Sequence, residues 1–413
     1  MTFREGQKIS MISVADALQR VLDGVERMPE ETVNLATAHG RVLAQDVMAR
    51  LTQPPTDVSA MDGYAVRASD VAQVPVTLTQ IGESAAGSAF DGAIGRGETA
   101  RIFTGAPVPE GADAIVVQED TNAVGDQITM KETVPVGHYI RPAGLDFSAG
   151  DICIRANKVL SARDVGLAAA MNVPWLTVRR IPNIALLATG DEIVRPGEPM
   201  GPNQIISSNT LALMGLIKAS GGEAIDLGIA NDDEDSLRAL AQSARGADML
   251  VTLGGASVGD HDLVRKVLGE DGLELNFWRI AMRPGKPLIF GRIAGTPMMG
   301  MPGNPVSSLV CGLVYLRPAI RAMLGLNPHA TRQTAILGCD LGANDQRQDY
   351  LRATASKNGN GEWVATPFDK QDSSMLFRLT QAHCLILRAP HAEPAHAGDR
   401  VEIIPLDGET TGI

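Results

Sequence analysis

At 413 residues the chain exceeds what one hydrophobic core usually supports, so two to four domains are predicted. A hydrophobic share of 44% against 20% charged residues is that of a globular protein, and 4% aromatics means aliphatic, methionine-filled cores. The formal charge of −12 argues against a broad nucleic-acid or anionic-membrane surface and leaves room for a local basic pocket.

The opening MTFREGQKIS lacks the apolar core of a signal peptide, and no apolar run reaches about 18 residues, so a cytoplasmic location is expected. Ser13 caps a first predicted helix in which Asp16 takes the third position and Leu18, Val21 and Leu22 form an apolar stripe. A second helical stretch over 34–41 and a short strand over 42–47 follow. Between 54 and 150 the runs 74–81, 99–103, 114–118 and 127–130 alternate with Gly, Pro, Asp and Asn, the pattern of a small β-rich, barrel-like domain. Residues 153–171 return to helix with Ser161 as cap. That helix is expected to pack back on the first, making the β domain an insertion.

From Pro182 strands are predicted at 184–188, 225–229, 249–253, 277–281 and 288–291, with helices over 209–219, 233–244 and after 305. The spacing suits right-handed βαβ crossovers. Short strand-like runs at 334–337, 348–354, 363–367 and 384–387 close the chain as a small β domain. The predicted architecture is a multidomain α/β fold. It has a discontinuous N-terminal helical and extended domain (1–53 and 151–181), an inserted β-rich domain (54–150), an open three-layer α/β domain (182–327) and a C-terminal β domain (328–413).

In an open parallel sheet, ligands bind beyond the carboxyl ends of the strands. Gly254, Gly255 and Gly259 let backbone N–H groups converge on an anion, with Ser257 as a further donor; the alternative is a tight turn serving geometry alone. Asp191 and Glu192, after Thr189-Gly190, suit Mg²⁺ or a ribose or pterin amide, or else a helix N-terminus. Asp232–Asp235 carry the same ambiguity. Asp260 and Asp262 beside a phosphate loop are electrostatically awkward without a bridging metal, which points to a Mg²⁺–phosphate arrangement. Arg279, Arg283 and Lys286 around Pro284-Gly285 supply positive charge. In MPGNPVSS, Gly303-Asn304 between Pro302 and Pro305, with Ser307 near a helix start, forms an anion site or a cap. Asp62, in SAMDGYA, completes a composite site if its domain, or its copy in a dimer, faces the α/β cleft; otherwise it is a buried, capped aspartate. The seven histidines form no metal cluster, and no serine has a matched His–Asp pair. Cys153, Cys311, Cys339 and Cys384 stand apart and read as small apolar fillers.

Six segments in order, SAMDGYAVR (59–67), RIFTGAPVP (101–109), TGDE (189–192), GGASVGDHD (254–262), MRPGKP (282–287) and MPGNPVSS (301–308), span most of the chain. Together they resemble the MoeA family of molybdenum-cofactor biosynthesis, the molybdopterin molybdenumtransferases, which are related to the E domain of gephyrin. The resemblance implies a MogA-like α/β domain and a homodimer. It also implies insertion of molybdate into adenylylated molybdopterin, assisted by Mg²⁺ or a similar divalent ion, with release of AMP. Transient contacts with molybdopterin adenylyltransferase and with cofactor-accepting molybdoenzymes are implied too, and no nucleic acid or membrane partner.

Matched by motif, Asp62, Thr104 and Asp146 project towards the cleft, and Glu192, Asp232 and Asp262 place carboxylates around cofactor and metal. Gly254, Gly255, Ser257 and Gly259, with Pro302, Gly303, Asn304 and Pro305, follow the cofactor. Lys286, Pro287 and Ser307 match the molybdate-side motif, and Arg283 stands where the family often has Lys. Arg352 (in DYLR) and Ser373 (in QDSSML) close the site. Asp372 stands where the family commonly has glycine, and its carboxylate should repel a dianion unless it points away. A molybdopterin adenylyltransferase, whose single domain resembles the α/β segment, is the nearest rival, and a scaffold of the gephyrin kind is the second.

Overall fold

The computed structural model describes residues 11–231, 233–254 and 274–406, except for the side chains of 237, 240 and 241. A six-stranded sheet lies at its centre, in the order Glu223–Ala230, Asn183–Thr189, Met249–Leu253, Thr296–Met301, Ile289–Ile293, Glu274–Trp278. The first four strands are mutually parallel, Ile289–Ile293 runs antiparallel to them, and Glu274–Trp278, antiparallel to Ile289–Ile293, again runs with the first four. Asn183–Thr189 is buried over nearly its whole length, which explains its unbroken apolar run. Its alternate residues serve two cores. Ile184, Leu186 and Ala188 pack with the helices Asn209–Ala219 and Pro305–Met323, whereas Ala185 and Leu187 pack with Ala230, Ala244 and Met298 on the other face.

From Asn183–Thr189 the chain pairs first to one side and then crosses to Met249–Leu253 on the other. The carboxyl ends of these two strands, Thr189 and Leu253, therefore border the switch-point crevice. Helix Pro305–Met323 opens on a proline in its first turn and contains a π turn over Gly312–Leu316. It is long and apolar enough to cross a membrane, but 67% of it is buried inside the protein, as in a core helix.

The first helix, Val14–Asp23, forms as expected: the Ser13 side chain accepts from the Asp16 N–H at 3.0 Å. Its partner is not the expected one. Val14, Ala17 and Val21 share a core with Phe290, Ile320 and Met323 of the α/β unit, while Ala168 packs with Leu43, Leu160 and Val178 elsewhere. The Met28 N–H donates to Met323 O at 2.7 Å and Arg292 Nη2 to Gly24 O at 2.8 Å, tying the helix exit to that unit. Two further expectations are corrected. Residues 152–154 are a strand paired with Val47–Met48, and helix begins only at Ala162, where Ser161 and Asp164 form a capping box. In place of a helix over 34–41 there is one short turn, Leu35–Thr37, capped by Asn34.

The inserted region carries a second six-stranded sheet, in the order Ala114–Val117, Gly63–Val66, Glu98–Ile102, Val76–Ser84, Gln127–Met130, Thr121–Val124. In the C-terminal region the strands Gln333–Leu337, Gln348–Lys357, Trp363–Pro367, Cys384–Arg388 and Arg400–Pro405 pair in a closed ring. This barrel is joined to the α/β unit by main chain, since Met282–Arg283 lies parallel to Gln348–Asp349.

Candidate functional site

A cavity of about 590 Å³ opens where the strand-end loops of the central sheet meet the barrel loop at 371–373. Of the residues predicted for the site, Glu192, Gly254, Arg283, Lys286, Pro302, Gly303, Asn304, Ser307 and Ser373 border it. Two glycines fix its walls. Gly254 has φ +95°, and a Cβ there would stand 2.9 Å from Thr189 O. Gly285 has φ +112°, and a Cβ would stand 2.5 Å from Cys311 Sγ. A side chain at either position would be strained and crowded.

The charges around the cavity are unequally committed. The Arg283 guanidinium is paired with Asp349, reaches Asp345 at 3.3 Å and donates to Asn344 Oδ1 at 3.2 Å, all on the barrel side. Arg347, also on the wall, donates to Asp345 Oδ2 at 2.6 Å, and this bond holds the Asp345 carboxyl down at about 2. Lys286 is exposed on the wall and makes no ion pair among the described residues. It is therefore the cation best placed to meet an incoming oxyanion.

The loop from Gln371 to Met375, which also borders the cavity, is held from both sides. Arg352, only 1% exposed, donates from its N–H and Nε to Gln371 Oε1 at 3.0 and 3.2 Å and from Nη1 to Asp372 O at 2.8 Å. Burial pushes its guanidinium pKa down. Arg352 thus does not border the cavity, and its Nε and Nη1 donors hold the loop. On the cavity side, Asn304 Nδ2 donates to Ser373 Oγ at 2.7 Å and the Val306 N–H to Ser373 O at 3.1 Å. Asp372 does not border the cavity: its Oδ1 accepts from the Ser374 N–H at 2.8 Å and Oγ at 2.6 Å. The Ser374 hydroxyl and N–H lower its pKa, and the condition that its carboxylate point away is met.

Asp62 and Thr104 are brought together beside the paired Gly63 and Ile102 of the inserted sheet, and neither borders this cavity. Asp62 Oδ1 accepts from the Thr104 N–H at 2.7 Å and Oγ1 at 2.8 Å, which lowers the Asp62 pKa, the backbone bond contributing most. Arg101, in the same motif as Thr104, lies over Tyr64 and Phe103 at 5.1 and 5.0 Å. Asp146 is exposed on a separate loop, where its N–H donates to Gln53 O at 3.0 Å. Pro305 starts the long helix without bordering the cavity. Asp232, Gly255, Ser257, Gly259 and Asp262 lie outside the described residues. Among the described residues no group of three or more His, Cys, Asp or Glu could hold a metal, and Glu192 is the one carboxylate on the cavity wall.

Comparison with known proteins decides the family. Residues 12–172 match the MoeA N-terminal region (domain I and II), 185–322 a probable molybdopterin binding domain, and 334–406 the MoeA C-terminal region (domain IV). A molybdopterin molybdenumtransferase of Haemophilus influenzae is 32% identical over 406 residues, 96% of this chain and 99% of that protein. The chain belongs to the MoeA family. One from Nostoc sp. is 37% identical over 328 residues, 76% of this chain and 75% of that protein. The crystal structure of a molybdopterin biosynthesis moea protein from Pyrococcus horikosii superposes with a TM-score of 0.84 at 31% identity, covering 97% of this chain and 100% of that one.

Within this MoeA-family site, sequence reasoning overlooked Gln371, Arg347 and the acceptors Asn344, Asp345 and Asp349. The close alternation of Asp and Arg over 345–349 was the available signal. It carried no indication that the partner would be Arg283, 62 residues away from Asp345 in the chain.

Proposed function

We propose that this chain inserts molybdate into adenylylated molybdopterin and releases AMP. The observation that carries the reading is the cavity itself. It sits at the strand ends of a domain matched as a probable molybdopterin binding domain, and both Lys286 and Ser373 of the barrel line it. The proteins of Haemophilus influenzae and Nostoc sp. carry the name molybdopterin molybdenumtransferase.

In this reading the backbone at Gly254 and the Pro302–Asn304 loop accommodates the adenylylated pterin. Lys286, Ser307 and Ser373 supply positive charge and hydroxyl donors to the oxyanion. The dithiolene of the substrate provides the sulfur ligands, so the protein has to orient its substrates more than attack them. Glu192 fits a Mg²⁺ that completes its shell with substrate phosphate, because Mg²⁺ is commonly held by only one or two carboxylates. Asp232 and Asp262 are the further carboxylates proposed for it. Mg²⁺ bound there would neutralise the phosphoanhydride.

The proposal includes a cytoplasmic homodimer with domains 1–53 plus 151–181, 54–150, 182–327 and 328–413. Asp62, Thr104 and Asp146 then meet the cavity of the partner subunit. What supports this is that Asp62 and Thr104 are already ordered as a pair yet border no cavity with Lys286 in their own chain. Arg352 contributes by holding the 371–375 loop. The test is incubation of the purified chain with adenylylated molybdopterin, Mg²⁺ and molybdate. Molybdate-dependent AMP release with formation of molybdenum cofactor is expected. AMP attachment from ATP to free molybdopterin would identify an adenylyltransferase instead, and neither activity would leave a scaffold.

A further inference from the structure

The loop that presents Ser373 carries a carboxylate the function has not used. Asp372 and Ser374 flank Ser373, and their side chains bond to each other across it. Asp372 Oδ1 accepts from both the N–H and the hydroxyl of Ser374, at 2.8 and 2.6 Å. The Asp372 carbonyl is gripped from below by Arg352 Nη1 at 2.8 Å. Between these two anchors the backbone of Ser373 has little freedom, and its carbonyl accepts from the Val306 N–H at 3.1 Å.

The consequence falls on the Ser373 hydroxyl. A serine hydroxyl has one proton to donate and two lone pairs. One lone pair is taken by Asn304 Nδ2 at 2.7 Å, so the hydroxyl meets an oxyanion in the cavity as a donor. We propose that Asp372 is a positioning residue for oxyanion binding: its bonds to Ser374 lock the turn that aims the Ser373 hydroxyl into the cavity. The role belongs to the acceptor oxygen of Asp372 and not to its negative charge. This proposal rests on molybdate being the oxyanion received there.

Asparagine keeps an acceptor oxygen at this position and removes the charge, whereas alanine removes both. In steady-state AMP release by the full chain, Asp372→Ala raises the molybdate KM about fivefold, the scale of one lost hydrogen-bonded turn. It leaves the KM for adenylylated molybdopterin and kcat within about twofold, and Asp372→Asn keeps the molybdate KM within about twofold of wild type. A lower molybdate KM in both variants would mean that the carboxylate acts by repulsion, and the proposal falls. It falls equally if both variants raise that KM alike or neither changes it. A wild-type chain without molybdate-dependent AMP release would sink the functional reading instead. The lock is then judged by hydrogen exchange at the Ser374 amide. Faster exchange in Asp372→Ala alone supports it, and equal rates in all three proteins overturn it.

Discussion

The cavity at Lys286 and the Asp62–Thr104 pair are both built from family motifs, yet they are organised in opposite ways. Around the cavity, polar groups come from two units far apart in sequence, and Lys286 is left without an ion pair among the described residues. At the edge of the inserted sheet, Asp62 and Thr104, 42 residues apart in the chain, satisfy each other from loops beside the strands Gly63–Val66 and Glu98–Ile102, with Arg101 stacked against two rings. The first arrangement leaves an exposed cation on the wall of a cavity. The second is a pair joined by two short hydrogen bonds that does not border the cavity at Lys286. The contrast teaches that motif density along a chain does not say which motifs share a site within one subunit.

Four substitutions sharpen or break that contrast. The largest effect is expected from Asp62→Ala, which should lower kcat for molybdate insertion by about a hundredfold if the pair orients substrate in a partner's cavity. Mixing it with a Lys286→Ala chain should then restore part of the activity through heterodimers, because one composite site is intact; no recovery would place both residues in a single-chain site or in neither. Lys286→Ala alone should raise the molybdate KM about thirtyfold, the scale of a lost charge-assisted hydrogen bond, with a smaller effect on adenylylated molybdopterin. Equal loss for both substrates would mean a general defect of the cleft.

Arg283→Lys should cost about 1–2 kcal/mol in denaturant unfolding, because one ammonium cannot reproduce a fork that reaches Asp345, Asp349 and Asn344. Its molybdate KM should change less than that of Lys286→Ala, since Arg283 is already paired. The smallest effect belongs to Asp345→Asn. The Asp345 pKa in the folded protein, about 2, lies below the ordinary 3.8, so its carboxylate stabilises the fold above that ordinary value. That contribution fades as pH falls through about 2. With Asp345 partly exposed, the loss at neutral pH should be under about 1 kcal/mol. Acid titration should show the variant losing less stability than wild type between pH 4 and 2. Parallel titrations would remove the Arg283–Asp345–Arg347 cluster from any role in docking the barrel.

Much of this was legible along the chain because it is local chemistry. The capping serines Ser13 and Ser161 and the strands Met249–Leu253, Gln127–Met130 and Trp363–Pro367 stand where hydrogen-bonding side chains and apolar runs place them. The six ordered motifs likewise announced the family before any geometry was known. Thr296–Met301 escaped notice despite lying inside the central sheet, because Pro297 and Gly300 interrupt its apolar run. Its burial against Ile289 and Thr252, not its composition, makes it a strand.

What sequence alone determined, then, is the capping residues, the uninterrupted apolar strands and the family. Which charged side chains are free to act was decided by tertiary structure. Arg283, Lys286 and Arg352 are equivalent as positive charges on paper. Folding pairs the first with barrel carboxylates, buries the third behind a loop and leaves the second facing the cavity. The physical reason is that a charge's availability depends on partners brought near by long-range pairing. The barrel that supplies them meets the α/β unit through Met282–Arg283 and Gln348–Asp349, a contact that no local pattern encodes.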